Sequence, residues 1–161
     1  LDKAGFKIVF DKYFDSIRRY VYYRTGDGEI ASDLAQDVFM RLWEKRDRFT
    51  EDNIKGLLYK MASDYLVSEY RRRSVAMNFL ENMTLADNSD SPLQMAEASE
   101  VAKRYADVLA RMPDGQRTAF LMHREEELKY KEIAERLDVS LKAVEKRISG
   151  ALKLLKDNLL R

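Results

Sequence analysis

Three observations predict an all-α protein built as two small helical domains joined by a flexible linker. Apolar residues recur at spacings of three and four through most of the 161 residues, and no alternating strand pattern appears. Only six glycines and two prolines interrupt the chain, so long helices meet few breaks. One stretch, 81–98, loses the periodicity and gathers Asn82, Asn88, Ser89, Asp90, Ser91 and Pro92. The expected division is a domain over 1–80, an acidic linker over 81–98 and a second domain over 99–161.

Lys3 to Arg24 is predicted to be a helix, because Phe6, Val9, Phe10, Tyr13, Phe14, Ile17 and Val21 share one face. Thr25-Gly26-Asp27-Gly28 should end it, since two glycines oppose helix propagation. A second helix is predicted from Glu29 to about Arg48, with Ile30, Leu34, Val38, Phe39 and Leu42 turned inward. Phe49 to Asn53 breaks the pattern. A third helix is predicted from Ile54 to about Arg73, where Arg71, Arg72 and Arg73 suit the negative end of a helix dipole. The linker leaves room for a helical turn near Leu80 to Met83. Periodicity resumes from about Met95 to Met112, and Pro113-Asp114-Gly115 reads as a turn or helix start. Helices then follow over Gln116 to Glu126, Lys129 to Leu137 and Leu141 to about Leu160.

Composition narrows the chemistry. Apolar residues make up 45%, enough for real cores, and charged residues 35%. The absence of cysteine removes disulfides and thiolate metal sites, and suits a reducing compartment. His123 is the only histidine, which limits zinc sites and catalytic triads. No apolar run approaches a membrane span and no signal peptide is visible, so the expected location is cytoplasmic, with no direct membrane insertion. The sequence opens at Leu1 and not at Met, as expected of a chain lacking a short N-terminal piece. No catalytic residue and no cofactor is expected. The net charge of +1 hides a segmental pattern: 1–80 carries +2, 81–98 carries −4, and 99–161 carries +3.

The two last helices meet at Asp138-Val139-Ser140, the arrangement of a helix-turn-helix. Ser140 is placed to cap the second helix, and Val139 and Val144 fall at the two positions of a hydrophobic staple. Ile133, Ala134 and Leu137 give the first helix an apolar face; Val144, Ile148, Ala151, Leu152 and Leu155 give the second its own. Lys142, Lys146, Ser149 and Lys153 occupy the opposite face, flanked by Ala143, Glu145 and Arg147. Exposed basic groups near the start of such a helix suit a DNA major groove. Lysines there neutralise phosphates, and Glu145 can accept from a cytosine amino group. A plain helical hairpin with a solvated basic face would share the charge; the cap, the staple and the apolar pattern favour DNA binding. Gly150 costs roughly 1 kcal/mol against alanine in a helix, and marks close packing, close approach to a backbone, or nothing.

Residues 108–160 carry Leu109-Ala110-Arg111-Met112-Pro113, Gln116-Arg117, Tyr130-Lys131-Glu132-Ile133-Ala134 and Val139-Ser140 followed by Val144-Glu145. This resembles the promoter −35-binding domain of extracytoplasmic-function sigma factors of bacterial RNA polymerase. Response regulators of the LuxR type carry a similar helix-turn-helix, including Val144-Glu145-Lys146, and a regulator of that type is the alternative. The N-terminal half separates them. The run from Asp33 to Trp43 resembles the sigma-factor helix that docks on the polymerase clamp. Leu57-Leu58-Tyr59-Lys60-Met61-Ala62, followed by Tyr70-Arg71-Arg72-Arg73, resembles the helix beside the −10 element.

The resemblance implies a non-enzymatic subunit that binds core polymerase, recognises −35 and −10 elements and stabilises melted DNA. It implies polymerase contacts at Asp33, Gln36, Asp37, Met40 and Arg41, where a polar stripe otherwise reads as a solvated face. It implies −10 contacts along the basic track of Lys55, Lys60, Arg71, Arg72 and Arg73, with Phe49, Asn53 and Tyr59 beside it; core packing is the competing expectation for Phe49 and Tyr59. It implies −35 contacts at Ser140, Lys142, Ala143, Glu145, Lys146, Arg147, Ser149 and Lys153. The implied partners are the clamp and flap regions of core polymerase, promoter DNA and an anti-sigma factor. Ser63-Asp64 stands where Arg-Asn is common in the family, and Ser68 where Asp is common. An acid facing DNA at Asp64 would repel phosphate, so Asp64 should point away or the −10 preference should be unusual. Asp33 and Asp37, spaced to share a helix face, can in principle hold Mg²⁺, but no second acidic cluster complements them and no metal site is expected. A helical adaptor that binds protein alone is a further rival.

Overall fold

The structure, a computed structural model, describes residues 1–69 and 92–159. These residues form an all-α protein of two helical units. The first unit holds α1 (Lys3–Thr25), α2 (Gly28–Glu44), short 3-10 turns at Arg46–Arg48 and Glu51–Asn53, and α3 (Ile54–Glu69). The second holds α4 (Pro92–Arg111), α5 (Asp114–Glu126), α6 (Tyr130–Leu137) and α7 (Leu141–Leu159). No helix of the described residues is long and apolar enough to cross a membrane.

Local chemistry sets most boundaries. The Asp2 carboxylate accepts from the Gly5 N–H at 2.7 Å and starts α1. Gly26 stops it with φ of 70°, a left-handed geometry that costs glycine nothing. Asp27 then caps α2, accepting from the Glu29 and Ile30 N–H groups at 2.9 and 3.1 Å. Gly28 is already helical, so one glycine and an aspartate make this break, where two glycines were expected. The helix α2 closes at Glu44, short of the expected Arg48. Arg46 turns back there, donating to the Trp43 carbonyl at 2.9 Å and stacking 4.0 Å from the Trp43 ring. The helix α4 starts at Pro92, ahead of the expected Met95, because the fixed φ and missing N–H of proline suit a first helical turn. The expected turn near Leu80 to Met83 lies outside the described residues.

Each unit closes around its own apolar stripe. Ile17, Val21, Val38, Leu42, Leu58 and Ala62 are buried where α1, α2 and α3 meet. Leu109, Met122, Ile133, Val144, Ile148 and Ala151 are buried where α4 to α7 meet. Full burial of such a side chain is worth about 1.5–3 kcal/mol, which is why the periodic stripes and not the charges set the helix faces. Gly150 is a close-packing glycine: a Cβ there would lie 2.7 Å from the Gln116 side-chain nitrogen, so its absence lets α7 approach α5. The units also touch each other, α5 against α1 and α6 against α3.

Candidate polymerase and promoter interfaces

The turn before α7 is built by three local devices. Asp138 takes the left-handed conformation with φ of 54°, which Asp tolerates better than most residues. The Val139 N–H returns to the Ala134 carbonyl at 3.0 Å, closing α6. The Ser140 hydroxyl oxygen accepts from the Ala143 N–H at 3.0 Å, opening α7. Val139 is half-buried and Val144 fully buried, as a staple requires.

Along α7, Lys142, Glu145, Lys146, Ser149 and Lys153 are exposed, while Val144, Ile148, Ala151 and Leu155 are buried. Leu152, expected on the apolar face, is instead exposed, and joins the outward set. Ala143 is half-buried. The Arg147 guanidinium lies across the start of α5, its carbon 3.4 Å from where a Cβ on Gly115 would sit, so it packs on its own unit. The outward face is therefore narrower than the sequence suggested, and it centres on Lys142, Glu145 and Lys146.

On α2, Asp33, Gln36, Asp37, Met40 and Arg41 are all exposed, opposite the buried Leu34, Val38 and Leu42. Met40 is 62% exposed, unusual for a side chain of its size and polarity. It borders an apolar groove between α1 and α2 of about 1110 Å³, lined by Phe6, Phe10, Phe39, Trp43 and Gln36. The groove walls are aromatic pairs: Phe6 meets Trp43 at 4.9 Å and Phe10 meets Phe39 at 5.2 Å between ring centres. Sequence reasoning placed Phe6 and Phe10 in the core and missed that the aromatics of α1 overfill it. A denser run of aromatics than one helix face can bury was the available signal. Among the described residues no group of three His, Asp or Glu side chains comes together to hold a metal ion.

The third region divides. Asn53 and Lys60 are exposed, and Lys55 is half-buried with its ammonium 3.3 Å from the Glu135 carboxylate of α6. Tyr59 is only 4% exposed. Its ring meets Tyr20 edge-on at 5.2 Å and its hydroxyl accepts from Arg136 at 3.4 Å, so core packing, not an open base platform, describes it here. Burial pushes its phenol up to about 12. Phe49 is half-buried and lines a cleft of about 440 Å³ with Arg41, Leu57, Met61 and Asp64. Ser63 accepts from Arg24 at 3.0 Å. Asp64 is exposed and lines a cleft with Lys60. Arg71, Arg72 and Arg73 lie outside the described residues, as does the side chain of Ser68.

Between the units, Glu126 forms a hub. Its carboxylate is 3.6 Å from Arg19 of α1 and 3.8 Å from Arg136 of α6, with the side chain 7% exposed. Burial raises the Glu126 carboxyl above its usual 4.5, against the pull of the neighbouring Tyr23 hydroxyl, Arg136 and Arg19. Burial and the Glu126 charge together push the Tyr23 phenol well above its own usual range. The sign of the linkage follows from the raised value. The folded state holds the Glu126 proton more tightly, so its contribution to stability is complete below 4.5 and falls as pH rises through the raised value. A carboxyl-resolved NMR titration should therefore place Glu126 above 4.5; a midpoint at or below that value would contradict the buried hub.

The family models for Sigma-70 region 2 and for Sigma-70, region 4 match residues 9–75 and 102–155 respectively. The first covers α1 to α3 and the second most of α4 to α7, and a helix-turn-helix regulator without a polymerase-binding half offers nothing for the first. The chain is 30% identical over 156 residues to the RNA polymerase sigma factor YlaC of Bacillus subtilis, spanning 94% of this chain and 90% of that protein. It is 30% identical over 126 residues to the ferric citrate uptake sigma factor FecI of Escherichia coli, spanning 76% and 72%. It is 26% identical to the ECF RNA polymerase sigma factor SigM of Bacillus subtilis over 82% of this chain and 81% of that one. The fold is similar to that of the sigma factor RpoE of Bartonella quintana, solved in complex with the anti-sigma factor NepR, at a TM-score of 0.62, 19% identity and 96% coverage of both chains. With regions 2 and 4 in the same order on two helical units, and with a 30% identical relative matched along nearly its whole length, the chain belongs to the sigma-70 family of RNA polymerase sigma factors, in its extracytoplasmic-function group.

Proposed function

We infer that this chain is a promoter-specificity subunit of bacterial RNA polymerase, which performs no covalent chemistry of its own. It docks on the clamp of core polymerase through α2 and reaches the flap region through its C-terminal unit. There it holds a −35 element on the outward face of α7 and a melted −10 strand along α3. Melting is driven by differential binding, since a protein that holds the open strand better than the duplex shifts the equilibrium toward the open form. The observation that carries the reading is the pairing, in one chain of this family, of two outward faces: the polar stripe of α2 beside an aromatic groove, and the lysine-bearing face of α7. Asp64 beside Lys60 supports a −10 preference that differs from relatives with a basic residue there. An anti-sigma factor is a fitting further partner, as in the RpoE complex, and such a subunit works in the cytoplasm.

Mixing the chain with core polymerase tests the docking half. A stable complex is expected by gel filtration. Reversing Asp33→Arg and Asp37→Arg together should weaken it about tenfold or more, because both groups are exposed and would meet an opposed surface with the wrong sign. Circular dichroism should stay unchanged. Wild-type affinity in the double variant would remove α2 as the docking helix, and no complex at all would remove the sigma-factor function.

A further inference from the structure

One side chain on the outward face of α7 has the wrong sign for DNA. Glu145 is exposed beside Lys142 and Lys146, on a face that would sit against phosphates. Other carboxylates of the same unit have local partners. Glu126 and Glu135 pair with Arg136 and Lys55, Asp114 pairs with Arg117, and Glu132 accepts from the Lys129 N–H at 3.2 Å. Among the described residues no such partner engages Glu145, although Lys142 and Ser149 each lie one helical turn away. In water that leaves a solvated carboxylate. In a DNA groove the same group costs affinity unless it accepts a hydrogen bond there.

The chemistry of the major groove restricts what can donate to it. The cytosine N4 and adenine N6 amino groups are donors there, while guanine O6 and N7 and thymine O4 are acceptors. A carboxylate accepts and cannot donate, so guanine and thymine repel it. Adenine sets its N7 acceptor beside N6, whereas cytosine presents the N4 amino group by itself. Cytosine is therefore the base that fits. The neighbouring side chains discriminate less. Lysine serves a phosphate of any sequence as readily as a guanine, and a serine hydroxyl both donates and accepts. Ala143 is half-buried, and Arg147 lies across the start of α5. We propose that Glu145 is the specificity-determining residue of this face, and that the −35 element of this chain carries a cytosine whose N4 amino group donates to the Glu145 carboxylate. The place of that base in a promoter rests on the sigma-factor reading; its identity rests on the outward face of α7.

Selection from a pool of duplex DNA of randomised sequence tests this, with the intact chain both free and in complex with core polymerase, and with the bound fraction sequenced. The wild type should enrich cytosine at one position about tenfold over the other bases, the usual cost of a mismatched pair. E145A should lose that preference at that position and keep the preferences at every other. E145Q should lose it too and raise adenine in its place, because a carboxamide can accept from N6 and donate to N7. A solvated glutamate with no part in reading would leave all three selections alike. Identical selections by the wild type and E145A, an even loss across every position, or a wild type that enriches no cytosine in either arm would each overturn the proposal. A free chain that selects cytosine through Glu145 but forms no complex with core polymerase would strike the sigma-factor reading and leave the base assignment standing.

Discussion

Arg117→Ala is expected to destabilise the folded chain by about 3–5 kcal/mol, the range for removing one partner from a buried charged network. Arg117 is 2% exposed, a rare setting for this residue type. Its guanidinium donates to the carbonyls of Tyr23, Arg24, Leu109 and Met112, and to the Asp114 carboxylate at 2.8 Å. These carbonyls lie at the C-terminal ends of α1 and α4, where helix dipoles place partial negative charge; that of Leu109 also accepts from the Met112 N–H at 3.2 Å. A single planar cation therefore closes two helix ends at once. Alanine would leave the carbonyls without their donor and open a cavity beside Leu109 and Met112. Lysine keeps the charge but lacks the fork, so Arg117→Lys should recover only part of the loss. Urea denaturation of the three proteins measures both effects. A loss below about 1 kcal/mol for alanine would mean that water satisfies these carbonyls equally well.

Lys142→Glu combined with Lys146→Glu is expected to abolish −35-dependent transcription, a fall of about a hundredfold, while polymerase binding changes little. Both residues are exposed on the outward face of α7, in its first two turns. The double reversal would set two carboxylates against the phosphates that the lysines would otherwise neutralise. The helix itself should tolerate the change, since acidic side chains are favoured near a helix N-terminus and Ser140 still caps it. That separates loss of DNA contact from loss of fold. The salt dependence of duplex binding should also flatten by about two counterions. Run-off transcription from a cognate promoter, with gel filtration on core polymerase beside it, gives the two readouts. Unchanged promoter use would remove the outward face of α7 from −35 recognition.

Much of this was legible in the chain itself, and the reasons are local. The periodic apolar stripes, Ser140 as a cap, and Val139 with Val144 all act within a few residues of themselves. They fix where helices begin and which way they face before any tertiary contact forms. The exposed stripe from Asp33 to Arg41 follows from the same periodicity, because Leu34, Val38 and Leu42 claim the opposite side. Local signals were silent where a side chain had two possible neighbours. The resemblance implies DNA contacts at Tyr59, Lys55 and Arg147, and core packing competes at Tyr59; in the fold each meets a neighbour distant in sequence: Arg136, Glu135 and Gly115. Leu152 read as core and proved exposed, because Val144, Ile148, Ala151 and Leu155 take the inward side of α7.

The sequence by itself determined the helices, their apolar faces, the helix-turn-helix and the resemblance that orders the chain into two functional halves. Only the tertiary structure decided how those halves meet. The hydrogen bonds of Arg117 to Tyr23 and Arg24 span 94 and 93 residues, and the Lys55–Glu135 contact spans 80. No periodicity carries information over such distances. A cation finds buried carbonyls, and a lysine finds a carboxylate, only once the two helical units are brought against each other.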